Sequence, residues 1–425
     1  MQISTFREAE AVLQAYWPSN LKGSGKRPYT LDHVQRFMEF AGSPQDKQPA
    51  IHIAGTSGKT STAYYTAALL RAAGKRVGLL TSPHIRTLNE RVQIDLEPLP
   101  ERQFCTELGI FLDVVEQSAV QLAYAELLYA FAFWEFARQR LDYIVVEVGM
   151  GGLLDPTNVM TRADKVCVIT DIGYDHVQVL GATLPEIAAQ KAGIIGRHNA
   201  VFCYKQDAVI IDAIQAAARK YHADLHILQP HYTEPAFKKL PAFQRRNSHL
   251  ALQAVQYVLE RDGAPGLQDR QLRQAAGVYI PGRMEVRRWK GKTIIIDGAH
   301  NGQKLTTLLA SIAERYPARQ VAAVVAFAET PGRNAEDQLA PFQHIASHVI
   351  TTTIPAAALA GMHPSRSAVT LLAAARKYAI DSEVIPDMPQ AIQALLARSE
   401  AVLVVTGSLY LVAPAATCID TLTAV

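Results

Sequence analysis

Short apolar runs rich in β-branched residues alternate along this chain with longer stretches whose apolar positions return every three or four residues. The short runs are 51–54, 77–80, 143–146, 166–169, 200–203, 293–296, 321–325 and 402–405. Runs of that length spaced by helical patterns predict βαβ units and parallel sheets. Between them, Phe104, Leu108, Phe111 and Val115 repeat at helical spacing, and 61–73 reads as a helix. Thr183-Leu184-Pro185-Glu186 reads as a capping box that opens another. The greasiest segment, 119–136, is interrupted by Gln121, Glu126 and Glu135, so it reads as a buried helix and not a membrane span. A helical stretch at 270–276 is followed by Pro281-Gly282-Arg283 and a fresh strand at 293. That punctuation divides the chain into a domain of residues 1–280, a linker of 281–292 and a smaller α/β domain of 293–425.

Polar residues follow the apolar runs. Thr81-Ser82-Pro83-His84 follows the second run, Glu147-Val148-Gly149-Met150-Gly151-Gly152 the third and Thr170-Asp171 the fourth. Asp297-Gly298-Ala299-His300-Asn301 and Thr406-Gly407-Ser408 follow two runs of the second domain. Ligands of open α/β sheets bind outside the carboxyl ends of the strands, so these groups are expected in one crevice lined from both domains. The first run leads into Gly55-Thr56-Ser57-Gly58-Lys59-Thr60-Ser61, where a strand turns into a helix. Glycines there let the backbone approach phosphate oxygens, and amides at the helix start point at them. Lys59 neutralises β/γ charge and the Thr60 hydroxyl can hold magnesium. Ile53 stands where the longer form of this phosphate loop has its leading glycine. The expected fold class is α/β: a P-loop nucleotide-binding domain with a mainly parallel sheet, and a smaller Rossmann-like α/β domain.

Glu147 ends a strand before a glycine-rich turn, a position from which acidic residues bind the magnesium of a phosphate loop. Asp175-His176 is a weaker signal, since a lone loop histidine also serves structure. Lys191 shares a helical face with Ile187 and Ile194, which allows either a packed stem with a head in water or a head turned to the metal site. Asn247 stands at the start of a helix expected to run to Val258 and can cap it. Arg283 can clamp a phosphate or form an ion pair. Asp297, His300 and Asn301 form the densest polar cluster of the second domain.

The chain has 425 residues, 49% of them apolar, and a net charge of +3 without a basic tail. That size supports buried cores, and the mixed charges give no reason to expect a nucleic-acid partner. Cys105, Cys167, Cys203 and Cys418 show no metal-ligand spacing, so neither disulfides nor zinc are expected. Without a signal-like N-terminus or a membrane span, the protein is expected in the cytoplasm.

Together these residues resemble the folylpolyglutamate synthase and dihydrofolate synthase family, relatives of the Mur ligases. The resemblance spans nearly the whole chain. Its motifs are Ile53 to Ser61; Thr81-Ser82-Pro83-His84 with Asn89-Glu90-Arg91; Glu147 to Asn158; Gly173-Tyr174-Asp175-His176; Gln190-Lys191-Ala192-Gly193-Ile194; Pro281 to Glu285; Asp297 to Asn301; and Thr406-Gly407-Ser408. It implies an ATP-dependent amide ligase, acting through an acyl phosphate, that joins L-glutamate to a folate or dihydropteroate carboxylate. By the same resemblance Gly55 to Ser61 bind ATP with Asn247, Arg283 and Asp297. Thr60 and Glu147 hold its magnesium, and Ser82, Glu147 and His176 surround a second ion. Lys191 matches a carbamylated lysine, which with Lys59 and His176 serves catalysis. His300 and Ser408 match the glutamate region, Asp155 lies near the pterin, and a monomer is implied.

Three departures from the family pattern stand out. Ser57 and Thr60 replace Asn and Gly of the family loop, Leu153 stands at an arginine position, and 326–337 lacks an Asp-Lys-Asp. The loop Gly23-Ser24-Gly25-Lys26-Arg27-Pro28 and Leu153 are where the choice between dihydropteroate and folate acceptors is expected to lie. One rival is an atypical Mur-type ligase of a UDP-linked peptide, although only 54 residues precede Gly55, fewer than a uridine-binding domain needs. The other is an ATPase switch, which has no use for a second polar crevice.

Overall fold

The structure, a computed structural model, describes residues 2–17, 30–330, 333–359 and 364–424. The loop 23–28 singled out above lies outside the described residues. The chain forms two compact units, Met1–Leu240 with Gln244–Val278, and Pro241–Phe243 with Tyr279–Val425.

The first unit is built on eight strands: β1 Ala50–Ala54, β2 Val77–Leu80, β3 Val92–Ile94, β4 Glu97–Pro98, β5 Tyr143–Glu147, β6 Val166–Ile169, β7 Ala200–Tyr204 and β8 Asp224–Leu228. Their order is β4-β3-β2-β5-β1-β6-β7-β8, parallel except for the β2-β3-β4 hairpins. β1 lies between β5 and β6, and all five of its residues are buried. A central parallel strand is covered on both faces, which is why its sequence is a continuous apolar run. The register places Ile53 opposite Glu147 and Ala54 opposite Ile169, so the turns after β1, β5 and β6 emerge side by side. In this unit's core Phe37 packs edge to face on Phe111 and Phe104 on Phe131, and Phe111 lies tilted against Phe131, with ring centroids 5.2 to 5.5 Å apart.

The second unit holds β9 Glu285–Trp289, β10 Lys292–Ile296, β11 Val321–Val325, β12 Ala346–Thr351, β13 Ser382–Val384 and β14 Val402–Thr406. Their order is β13-β12-β11-β14-β10-β9, with only β9 antiparallel to its neighbour. Both units are thus α/β with mainly parallel sheets.

All eight apolar runs are strands. The stretch 281–292, expected as a linker, holds β9, which pairs residue for residue with β10 from Glu285 opposite Ile296 to Trp289 opposite Lys292. The helix expected to begin at Asn247 is Ala242–Arg261, so Asn247 lies inside it and caps nothing. Ala119 ends the helix Glu101–Ser118 in a left-handed conformation, and the buried apolar helix begins later, at Tyr124–Arg138. Cys105, Cys167 and Cys203 are buried free thiols, while Cys418 is partly exposed. Among the described residues no helix is long and apolar enough to cross a membrane.

Candidate active site

The turn after β1 is shaped by two glycines in the left-handed half of conformational space, Gly55 at φ 151° and Gly58 at φ 94°. A Cβ on Gly58 would lie 2.5 Å from Asn247 Oδ1, and one on Gly55 would overlap the Thr170 hydroxyl. The turn is therefore seated against the end of β6 and the helix Ala242–Arg261. The N–H groups of Thr56 and Ser57 donate to the Asp171 carbonyl at 2.8 and 3.1 Å. Thr56 Oγ1 donates to the Gly173 carbonyl at 3.0 Å and accepts from its N–H at 3.1 Å. With those amides engaged, phosphate oxygens are left to the first turn of the helix Lys59–Ala72, whose N–H groups have no intrahelical acceptors. Ser61 lies buried in that turn, and the Ser57 hydroxyl is buried without a partner.

Thr60, Ser82 and Glu147 come together at the mouth of this turn. Thr60 Oγ1 donates to Glu147 Oε1 at 2.7 Å, and the Ser82 N–H donates to Glu147 Oε2 at 3.1 Å. Tyr129 completes the group by donating its hydroxyl to Ser82 Oγ at 3.1 Å. A buried carboxylate beside a threonine hydroxyl is a hard-oxygen donor set that fits magnesium, which keeps most of its other positions for water and phosphate oxygens. Its fit to a second ion is weaker: His176 is exposed at the start of the helix Val177–Leu180, and the described residues contain no group of three His, Cys, Asp or Glu arranged for a metal.

Lys191 is 3% exposed, and its Nζ donates to the Gly55 carbonyl at 2.8 Å. The head is therefore turned onto the phosphate turn and not out to water. Lys59 Nζ donates to the same oxygen at 3.1 Å. Asp155 is buried, and its two oxygens accept from the Met150 N–H at 2.9 Å, the Thr157 N–H at 3.0 Å and the Thr157 hydroxyl at 2.5 Å. Burial pushes its pKa up against these three bonds. Its carboxylate thus anchors its own glycine-rich turn, and Leu153, two residues earlier, is exposed.

In the second unit, the loops after β10, β11 and β14 meet. Asp297 is buried; its carboxylate accepts from the Met284 and Ala299 N–H groups, each at 2.7 Å, and burial raises its pKa against the pull of Arg283. The Gly407 N–H and Thr406 hydroxyl both donate to the Ala299 carbonyl, at 2.9 and 3.2 Å. His300 Nδ1 must donate to the Gly298 carbonyl at 2.8 Å, which leaves Nε2 to accept from Lys304 Nζ at 3.1 Å. Ser408 is buried and caps the helix Leu409–Thr423, its Oγ accepting from the Tyr410 N–H at 3.2 Å. Arg283 donates to the Gly282 carbonyl at 3.0 Å.

Sequence reasoning missed Arg246, which braces the phosphate turn through Asp171, and Tyr129, which bonds Ser82. Arg246 binds Asp171 with Nε and Nη2 at 2.6 to 3.0 Å, and its guanidinium stacks 4.0 Å from the Tyr204 ring centre. This fork holds the carbonyl that Thr56 and Ser57 use. Its only sequence signal was position: Asp171 ends a strand and Arg246 precedes Asn247. Tyr129 gave none, being one aromatic among many in an apolar helix.

Residues 282–409 match the family described as Mur ligase, glutamate ligase domain. The chain is 29% identical over 360 residues to the dihydrofolate synthase/folylpolyglutamate synthase of Bacillus subtilis, covering 78% of this chain and 83% of that one. It is 30% identical over 365 residues to the Mycobacterium tuberculosis protein of the same name, covering 76% and 73%. Its fold is similar to M. tuberculosis folylpolyglutamate synthase complexed with ADP, at TM-score 0.80 and 27% identity over 97% of both chains. Escherichia coli FolC in complex with DHPP and ADP shares the fold at TM-score 0.81 and 23% identity, over 98% of both chains.

Proposed function

This chain belongs to the dihydrofolate synthase/folylpolyglutamate synthase family, and from that premise we propose that it is an ATP-dependent ligase joining L-glutamate to a folate or dihydropteroate carboxylate. A free carboxylate is a poor electrophile, so ATP supplies a leaving group. The acceptor oxygen forms a bond to the γ-phosphorus as the bond to ADP breaks, giving an acyl phosphate. The glutamate nitrogen then attacks the acyl carbon, inorganic phosphate leaves and the nitrogen loses a proton. The observation that carries this reading is the convergence of Lys59, Lys191, Thr60 and Glu147 on one glycine turn, in a chain whose second unit matches a glutamate ligase domain.

In this reading the first turn of the helix Lys59–Ala72 and Lys59 hold the β- and γ-phosphates, and Asn247 backs Gly58. Thr60 and Glu147 would hold a magnesium ion, which when bound neutralises charge developing on the phosphoryl oxygens. A second ion would draw on Ser82, Glu147 and His176. Lys191 is proposed to be carbamylated. Two ammonium heads on the Gly55 carbonyl repel each other; a carbamate relieves this, keeps an N–H for that oxygen and adds anionic oxygens. In the second unit, Arg283 and Asp297 are assigned to ATP, and His300 and Ser408 to glutamate. Asp155 is assigned to the pterin side through the turn it anchors. The enzyme is proposed to act as a cytoplasmic monomer.

The test is the product. Incubated with ATP, magnesium, glutamate and either dihydropteroate or tetrahydrofolate, the protein is expected to yield a compound heavier by one glutamyl residue. Which acceptor is extended assigns dihydrofolate synthase, folylpolyglutamate synthase or both; no extension of either would overturn the proposal.

A further inference from the structure

A chain of hydrogen bonds runs behind the glycine-rich turn from a buried histidine to a buried carboxylate. His52, the middle residue of β1, is 0% exposed, and its Nε2 lies 2.9 Å from Thr157 Oγ1. That hydroxyl lies 2.5 Å from Asp155 Oδ1. Three donors converge on the Asp155 oxygens, so the carboxylate accepts throughout and the Thr157 proton points to it. The Thr157 oxygen is then left to accept, and His52 must supply Nε2–H. The histidine is neutral, with Nδ1 buried and unpartnered. Burial and then the nearby Lys165 cation hold its pKa well below the usual range, which agrees with that assignment.

The chain ends on the turn that carries the site. Asp155 takes the Met150 N–H, and a Cβ on Gly149 would lie 3.2 Å from Asp155 Oδ2 and overlap the Tyr129 hydroxyl. Tyr129 in turn donates to Ser82, whose N–H donates to Glu147. The turn 149–152 is therefore clamped between Asp155 on one side and the Tyr129–Ser82–Glu147 group on the other. In the ligase reading Asp155 is assigned to the pterin side, so the turn it anchors is assigned to the wall beside the acceptor carboxylate.

We propose that His52 is a positioning residue of the ligase: acting through Thr157, it orients Asp155 and so sets the glycine turn that borders the acceptor carboxylate. The inference rests on the ligase reading above. An apolar filler at position 52 would serve a plain core, whereas a positioning role needs the N–H and the hydroxyl. A misplacement of about 1 Å at a reacting group costs on the order of a hundredfold in rate, while ADP binding, assigned to Lys59 and the first turn of the helix Lys59–Ala72, is expected to change little.

The experiment compares wild type with His52→Leu, His52→Gln, Thr157→Val and Thr157→Ser. It measures acceptor-dependent kcat and acceptor KM, ADP affinity by calorimetry, and melting temperature. His52→Leu and Thr157→Val are expected to lower acceptor kcat/KM at least about tenfold with ADP affinity within about twofold. His52→Gln, which keeps an N–H in reach, and Thr157→Ser, which keeps the hydroxyl, are expected to recover most of it. Losses that follow melting temperature alone, without rescue by Gln or Ser, overturn the proposal. Nitrogen NMR of the wild type must also show a neutral Nε2–H tautomer at His52; a Nδ1–H or doubly protonated ring overturns it whatever the variants do. Wild type without acceptor-dependent turnover overturns the ligase reading itself, whereas an active wild type with four indistinguishable variants removes only the role of His52.

Discussion

Lys191 Nζ reaches the Gly55 carbonyl oxygen at 2.8 Å across 136 residues of sequence, and it shares that oxygen with Lys59. A buried lysine held there either adds a second cation to the phosphate turn or, carbamylated, adds an anion beside Thr60 and Glu147. The two alternatives predict opposite chemistry.

Lys191→Ala is expected to lower kcat by on the order of 10²- to 10³-fold, the cost of removing one preorganised electrostatic group. If the group is a carbamate, millimolar formate or acetate restores part of the rate and alkylamines do not. The intact mass of wild type in bicarbonate buffer would also carry one added CO2. Rescue by amines alone, or full activity in Lys191→Ala, contradicts the carbamate.

Glu147→Gln keeps the size of the side chain and removes its charge next to Thr60, 2.7 Å away. The magnesium concentration for half-maximal turnover is expected to rise at least about tenfold, since losing even a group that only orients a metal ligand costs about 10- to 100-fold. Thr60→Val should act in the same direction. An unchanged magnesium titration in both variants would remove the metal role from this pair.

Gly58→Ala places a Cβ 2.5 Å from Asn247 Oδ1 at φ 94°, so it strains the backbone and pushes on the wall of the turn. Gly42, at φ 81° with nothing within 4 Å, is the control: Ala there carries a similar backbone penalty of about 1–2 kcal/mol and no collision. Calorimetry should show ADP affinity lost in Gly58→Ala and kept in Gly42→Ala. Equal behaviour of the two would mean that the close approach to Asn247 is irrelevant to nucleotide binding.

The buried strands of both sheets were legible because a parallel strand covered on two faces leaves a run such as 166–169 or 402–405, with no polar residue to blur it. The strands that escaped carry polar groups or are short: β8 has Asp224 and His226, β9 has Arg287 and Arg288, β12 has Ser347 and His348, and β3 is only three residues long. β8 and β9 are edge strands, which need such groups to avoid pairing with other chains, and that requirement erases the pattern there. In the candidate site, residues placed at a strand end or a glycine turn, such as Glu147 and Lys59, stand out in the sequence by that position. Arg246 with Asp171 and His52 with Thr157 could not, because the partners are 75 and 105 residues apart and neither member of a pair is unusual alone.

His52 also makes a statement about stability. Its pKa is depressed in the folded protein by burial and by Lys165, while the unfolded chain titrates near 6.5. Below that value the unfolded state binds the proton that the folded state refuses. The contribution of His52 is therefore full above pH about 6.5 and is lost as pH falls, by up to about 1.4 kcal/mol per pH unit. Asp155 and Asp297, raised by burial, act in the opposite sense. The clean observable is the difference between wild type and His52→Gln: the gap in unfolding free energy should narrow from pH 7 to pH 5. A gap independent of pH would mean that His52 protonates freely in the native state.

The most direct test of the ligase assignment is ADP release by the purified protein with ATP and magnesium, with and without glutamate, in the presence of dihydropteroate, tetrahydrofolate, a UDP-muramyl peptide or no acceptor. Turnover that requires both glutamate and a pterin acceptor is the predicted result. Turnover that requires the muramyl peptide, or that proceeds at the same rate with no acceptor at all, would contradict it.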